Sequence, residues 1–120
     1  MDVFSLIVED DEDLAEIFSQ ALIAADYKTE IINDGLVAHE RLQQVVPDVV
    51  ILDMHLPNMA GDKLLDQIRG DARLEKTRVV VATADAQMGE RMRNLADLVL
   101  IKPVSFTQLR DLSARLRPQQ

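Results

Sequence analysis

The chain has 120 residues, 48% of them apolar and 28% charged, with a formal net charge of −8, and this length suits one domain with one substantial core. The acidic balance argues against direct binding to nucleic acid or to an anionic membrane, since both need clustered Lys and Arg, and the lack of cysteine rules out disulfides and thiolate metal sites. No apolar run approaches the roughly 20 residues of a membrane-spanning helix, and no signal peptide or linker-like tract is present, so a single soluble, cytoplasmic domain over residues 1–120 is expected.

In chain order, Phe4–Val8 (FSLIV) is the first aliphatic run and reads as a strand. Glu9 to Asp13 follow it; Asp11, Glu12 and Asp13 are expected to start a helix, with Asp13 as its cap. That helix carries Leu14, Ile17, Phe18, Ala21 and Leu22 on one face. Lys28–Ile32 (KTEII) mixes polar and apolar residues, as an edge strand does. Asp34 and Gly35 turn into a second helix, whose inward spacing is expected at Leu36, Val37, Glu40 and Leu42 and whose His39 is expected on the solvated side.

Val49–Leu52 (VVIL) reads as a strand covered on both faces, as do Val79–Ala82 (VVVA) and Leu98–Ile101 (LVLI). A helix with Leu64, Leu65 and Ile68 on its inner face separates the first two, amid a charge-mixed stretch from Lys63 to Arg78 that reads as solvated surface. A short polar helical stretch, Ala86–Leu95, precedes the last strand, and Phe106, Leu109, Leu112 and Leu116 mark the final helix. Strict alternation of strand and helix predicts right-handed crossovers in a doubly wound α/β parallel sheet with helices on both faces, whose ligands bind beyond the carboxyl ends of the strands.

The residues just after the central strands are Glu9 and Asp10, Asp53, Thr83 and Lys102. Asp53 alone would suggest only a turn, but several carboxylates converging at one sheet edge persist only if cations relieve their repulsion. Lys102 supplies one positive charge, and an all-oxygen site suits magnesium, with manganese as a substitute. Phosphoryl transfer needs a nucleophile and neutralised oxygens. In this reading Asp53 attacks phosphorus, Glu9 and Asp10 hold the metal, Lys102 pairs with a phosphoryl oxygen, Thr83 donates a hydrogen bond to another, and Ala84 leaves the approach open.

The fragments LIVEDD with Glu9 and Asp10, VILDMHLPNMAG with Asp53, Pro57 and Gly61, VVVATA with Thr83, and LIKP with Lys102 and Pro103 occur in this order over nearly the whole chain. Together they resemble the response-regulator receiver domains of two-component signalling. The resemblance implies a flavodoxin-like five-stranded sheet of order 2-1-3-4-5 and transfer of phosphate to Asp53 from a histidine kinase or histidine phosphotransfer protein. It implies no enzyme in the usual sense, since such domains catalyse only their own phosphorylation and dephosphorylation. It also implies a metal ligand from the backbone carbonyl of His55, a cis peptide bond before Pro103, and output through a downstream protein or effector domain outside this chain, with a homodimer compatible.

Three features depart from that family: Val99 replaces the usual Tyr or Phe three residues before the lysine, the Thr83–Lys102 interval is about one helical turn short, and His55 replaces a small polar residue. A short or loosely packed fourth helix is therefore expected. The competing reading is a pseudo-receiver, the same fold used as an interaction module without phosphorylation. An aspartyl phosphatase of the haloacid-dehalogenase type would need a second aspartate where His55 stands, and a flavin carrier would need a Ser/Thr/Gly loop where Glu9, Asp10 and Asp11 stand.

Overall fold

A computed structural model describes residues 2–118; Met1, Gln119 and Gln120, the ends of the expected 1–120 domain, lie outside the described residues. The elements run β1 (Val3–Val8), α1 (Glu12–Ala24), β2 (Tyr27–Ile32), α2 (Gly35–Leu42), β3 (Val49–Leu52), α3 (Gly61–Arg69), β4 (Arg78–Thr83), α4 (Ala86–Met92), β5 (Leu98–Ile101) and α5 (Phe106–Arg115), with a 3-10 turn at Ala72–Leu74. All five strands pair in parallel in the order β2-β1-β3-β4-β5.

The period-two alternation of each strand divides the core between the two faces of the sheet. Leu6, Val8, Val50, Leu52, Val79 and Val81 pack with Ala38 and Leu42 of α2 and with Leu64, Leu65 and Ile68 of α3. Val3, Ile7, Val49, Ile51, Val80 and Ala82 pack on the other side with Phe18, Ala21 and Leu22 of α1 and Leu109 of α5. Each fully buried aliphatic side chain contributes about 1.5–3 kcal/mol, which is why the chain tolerates a polar, costly end to the sheet.

Several expectations need correction. The buried face of α2 is Gly35, Ala38 and Leu42, whereas Leu36 and Val37 are 47% and 53% exposed. The small residues lie inward because Gly35 abuts the backbone of Met59, which leaves no room for a large side chain. His39 is half-buried rather than solvated, and its Nδ1 lies 2.7 Å from Gln67 Oε1 on α3. The cap of α1 is Asp11, whose Oδ1 accepts the Leu14 N–H at 3.0 Å, and Asp13 lies inside the first turn.

β5 is an edge strand, half-buried along Leu98–Leu100 and exposed at Ile101, so it is not covered on both faces. Its neighbour α4 has seven residues, ends before Leu95 and buries Gly89 alone, matching the short helix expected there. In α5, Leu109 is buried but Phe106 is exposed. Around α3, Arg69 and Arg73 are held rather than merely solvated: Arg69 donates to the Leu95 and Thr77 carbonyls and pairs with Asp97, and Arg73 donates to the Leu42 and Val45 carbonyls.

Tyr27 and α5 are joined by a buried hydrogen bond, the phenol donating to the Ser113 carbonyl at 2.7 Å. Burial pushes the phenol up to about 12, Asp48 adding to the rise and Arg117 opposing it. A raised folded pKa means that the stabilisation is fully present below the ordinary value of 10.0 and is lost as pH rises through about 12. Tyr27→Phe should therefore cost about 1–2 kcal/mol at pH 7, and its deficit against wild type should shrink between those two values. Urea unfolding at a series of alkaline pH values checks this; a pH-independent deficit would refute the titration.

Candidate functional site

The sheet register places the chemistry. Val8 of β1 pairs with Leu52 of β3, and Leu52 with Val81 of β4, so Glu9 and Asp53 emerge side by side one residue later. Asp53 N–H donates to the Val8 carbonyl at 3.0 Å, which fixes that adjacency. Thr83 pairs with Ile101 at the end of β5, and the following Lys102 N–H donates to the Thr83 carbonyl at 2.9 Å. The strand order reverses at β1 and β3, and a doubly wound sheet opens its binding crevice at that point.

Glu9 is 1% exposed and Asp53 6%, while Asp10 is open to solvent. Glu9, Asp10 and Asp53 offer carboxylate oxygens that all lie within 4.8 Å of one another. The Lys102 ammonium sits 2.6 Å from Glu9 Oε1 and 3.3 Å from Asp53 Oδ2. Three carboxylates against one ammonium leave two uncompensated negative charges, the charge of one divalent cation. Of the five residues expected at this end of the sheet, Glu9, Asp10, Asp53 and Lys102 are thus brought together, and Thr83 ends the neighbouring strand β4.

Burial pushes the Glu9 carboxyl up, and this outweighs the Lys102 ammonium and the Asp11 N–H, which pull it down. Burial works against the charge on Lys102 as well, yet Glu9 and Asp53 together hold its ammonium above the usual range. The asymmetry follows from the count of neighbours: the lysine meets two carboxylates, whereas Glu9 meets one cation and a like charge. Glu9 Oε1 touches the ammonium outside hydrogen-bonding angles and has no other partner among the described residues. A buried oxygen with unused acceptor capacity, among carboxylates only, is the donor set of a hard oxygen-seeking cation, so these residues fit magnesium or manganese.

The Asp53 carboxylate is oriented by its own loop, Oδ1 accepting the Met54 N–H at 2.7 Å and lying 3.5 Å from the His55 nitrogen. The loop is tied to α2 by the Gly35 N–H donating to the Pro57 carbonyl at 2.9 Å and by Asn58, which is left-handed at φ 69° and bonds Asp34. It is tied to α3 by Gly61, whose N–H donates to the Met54 carbonyl at 2.8 Å. A Cβ on Gly61 would lie 2.0 Å from the Asp53 carbonyl oxygen, so glycine alone allows the helix to start against Asp53.

Thr83 is fully buried, Ala84 is exposed at the mouth, and the Lys102–Pro103 peptide is cis. The His55 ring lies outside the carboxylate cluster and pairs through Nε2 with Asp85 Oδ2 at 2.8 Å. Sequence reasoning passed over Asp85, although an aspartate just before a helical stretch is a capping signal; its Oδ1 accepts the Met88 N–H at 3.0 Å and starts α4. The Met88 N–H first, and then the His55 ring, hold the Asp85 carboxyl below its usual range. A depression of 730 Å³ at the opposite end of the strands, bordered by Asp48, Glu75, Lys76, Arg78, Arg115 and Arg117, touches none of the acidic cluster.

The family described as the response regulator receiver domain matches residues 5–114. The phosphate regulon transcriptional regulatory protein PhoB of Rhizobium meliloti (strain 1021) is 34% identical over 106 residues, covering 86% of this chain and 47% of that protein. The chain thus spans about half the length of this relative. Among solved structures, the bacteriophytochrome response regulator RtBRR is similar at a TM-score of 0.84 and 26% identity, over 100% of this chain and 81% of that one. The Mn(2+)-bound form of response regulator Rcp1 is similar at a TM-score of 0.79 and 25% identity, over 95% and 91% of the two chains. A match of this extent, on a fold shared with solved response regulators, makes this chain a member of the response regulator receiver domain family.

Proposed function

We propose that residues 1–120 form one receiver domain whose Asp53 accepts a phosphoryl group from a phosphohistidine on a histidine kinase or phosphotransfer protein. A carboxylate oxygen of Asp53 attacks phosphorus, the P–N bond breaks, and the donor imidazole, protonated on its second nitrogen, departs neutral. The product is an acyl phosphate on Asp53. Magnesium, held by Glu9, Asp10, Asp53 and the His55 backbone carbonyl, would supply charge neutralisation for the phosphoryl oxygens. Lys102 pairs with one of those oxygens and Thr83 donates to another. The domain catalyses only its own phosphorylation and dephosphorylation, in the cytoplasm, and acts through a downstream protein or an effector domain outside these residues.

The observation that carries the reading is the approach of three carboxylates to within 4.8 Å beside one partly buried lysine, an arrangement whose two excess negative charges call for a divalent cation at Asp53. The manganese-bound Rcp1 supports the metal, and the span of less than half of a transcriptional regulatory protein supports an effector elsewhere. Incubation with acetyl phosphate should add one phosphoryl mass in magnesium and none in excess chelator, and Asp53→Asn should add none at all, read by intact-mass spectrometry. An unmodified wild-type mass in magnesium, with acetyl phosphate and a phosphohistidine donor alike, would favour the pseudo-receiver.

A further inference from the structure

We propose that His55 and Asp85 form a latch that ties the acceptor loop to the first turn of α4, and that phosphorylation of Asp53 releases it. The release step rests on the acceptor reading above; the latch itself rests on geometry. Asp85 makes three connections at once. Its N–H donates to Thr83 Oγ1 at 3.1 Å, its Oδ1 accepts the Met88 N–H at 3.0 Å, and its Oδ2 meets His55 Nε2 at 2.8 Å. One residue therefore joins the hydroxyl at the end of β4, the start of α4, and the loop that follows Asp53.

Apart from this cap the helix is held only by Gly89 and by the partly buried Met88 and Met92 against the core. α4 has seven residues, too few to be helical alone, and only Gly89 is buried. Gly89 lies so close to β5 that a Cβ there would stand 2.9 Å from Val99 Cγ1, 3.3 Å from Ile101 Cδ1 and 3.4 Å from Thr83 Cγ2. Val99 leaves no room for a side chain at Gly89 and has no ring of its own to rotate. The cap and its histidine partner remain.

A phosphoryl group on Asp53 brings about two negative charges and three strong acceptors close to this pair. His55 is two residues from Asp53, and its ring N–H would exchange the Asp85 carboxylate for a phosphoryl oxygen, while the new charge repels Asp85. Asp85 is then left with the cap alone, and α4 frays from its N-terminus. Asp85 is a positioning residue in this scheme, acting on α4 and Thr83 rather than on phosphorus.

Hydrogen–deuterium exchange of the α4 amides tests the latch, with phosphoryl occupancy read by intact mass on the same samples. Without phosphodonor, His55→Ala should exchange about two- to fivefold faster than wild type across α4 and unchanged across α1 and α3, the range an exposed side-chain pair supports. Asp85→Asn, which keeps a capping oxygen, should do the same. Acetyl phosphate with magnesium should accelerate α4 exchange in wild type and add little in His55→Ala. Wild-type rates in both unphosphorylated variants would overturn the latch. A full mass gain with unchanged α4 exchange in wild type would overturn its release alone, and no mass gain with acetyl phosphate or a phosphohistidine donor would overturn the acceptor reading and the release with it.

Discussion

Gly61→Ala should be among the most damaging single substitutions in this chain, costing about 3 kcal/mol or more and lowering phosphoryl acceptance with it. The added carbon would stand 2.0 Å from the Asp53 carbonyl oxygen, 2.7 Å from Met54 Cα and 2.9 Å from the Asp53 carbonyl carbon. All are backbone atoms, so no side chain can swing aside. Relief requires α3 to retreat, which lifts Leu64, Leu65 and Ile68 from the core, or Asp53 to move out of line with Glu9 and Lys102. Gly70→Ala is the control: its Cβ would meet the Asp66 carbonyl at 3.2 Å in an ordinary backbone conformation, and stability should change by less than about 1 kcal/mol. Urea midpoints with unchanged slopes decide it, and equal midpoints for the two variants would show that the loop absorbs the carbon without strain.

That contrast also marks what was legible in the sequence. The aliphatic runs located β1, β3, β4 and β5 because strands in a parallel sheet concentrate Val, Ile and Leu, β2 was placed as a mixed edge strand, and the residues following the runs gave Glu9, Asp10, Asp53, Thr83 and Lys102. Gly61 was visible only as part of a motif; its reason, the approach of one backbone to another, depends on where α3 lands. The inner face of α2 was misread for the same kind of reason. Leu36 and Val37 looked like core by hydrophobicity, but the close passage of Met59 past Gly35 turns the small residues inward.

β5 was misread because its composition is that of a covered strand while its surroundings are not. It is an edge, and the seven residues of α4 cannot cover it. His39 and Arg69 looked solvated because their partners, Gln67, the Leu95 carbonyl and Asp97, are contributed by segments distant in sequence. Asp85 escaped notice because its capping role is local but its bond to His55 spans two loops. Local chemistry was readable; contacts that depend on the packing of two elements were not.

Lys102→Met, in magnesium-free buffer, should cost about 3–5 kcal/mol at neutral pH, because it leaves the buried Glu9 carboxylate facing Asp53 without a counter-charge. The sign of the pH dependence follows from the direction of the Glu9 shift. Burial already sets its folded pKa above the ordinary 4.5, so the stability it contributes is fully present below that value and is lost as pH rises through the folded pKa. Removing the lysine that opposes the rise lifts the folded pKa further and extends the loss to higher pH. The variant should therefore fall furthest behind wild type near neutrality and recover part of the deficit towards pH 4.5. Magnesium should compensate for the missing cation: without the ammonium to repel it, the ion should bind at least as tightly as in wild type, and saturation at a hundredfold excess over its dissociation constant should restore about 2.7 kcal/mol. Urea unfolding of both proteins at acid and neutral pH, with and without magnesium, measures each part. A deficit independent of pH and untouched by magnesium would mean that Lys102 acts by filling space, and that the charge balance at Asp53 is set by something other than these four side chains.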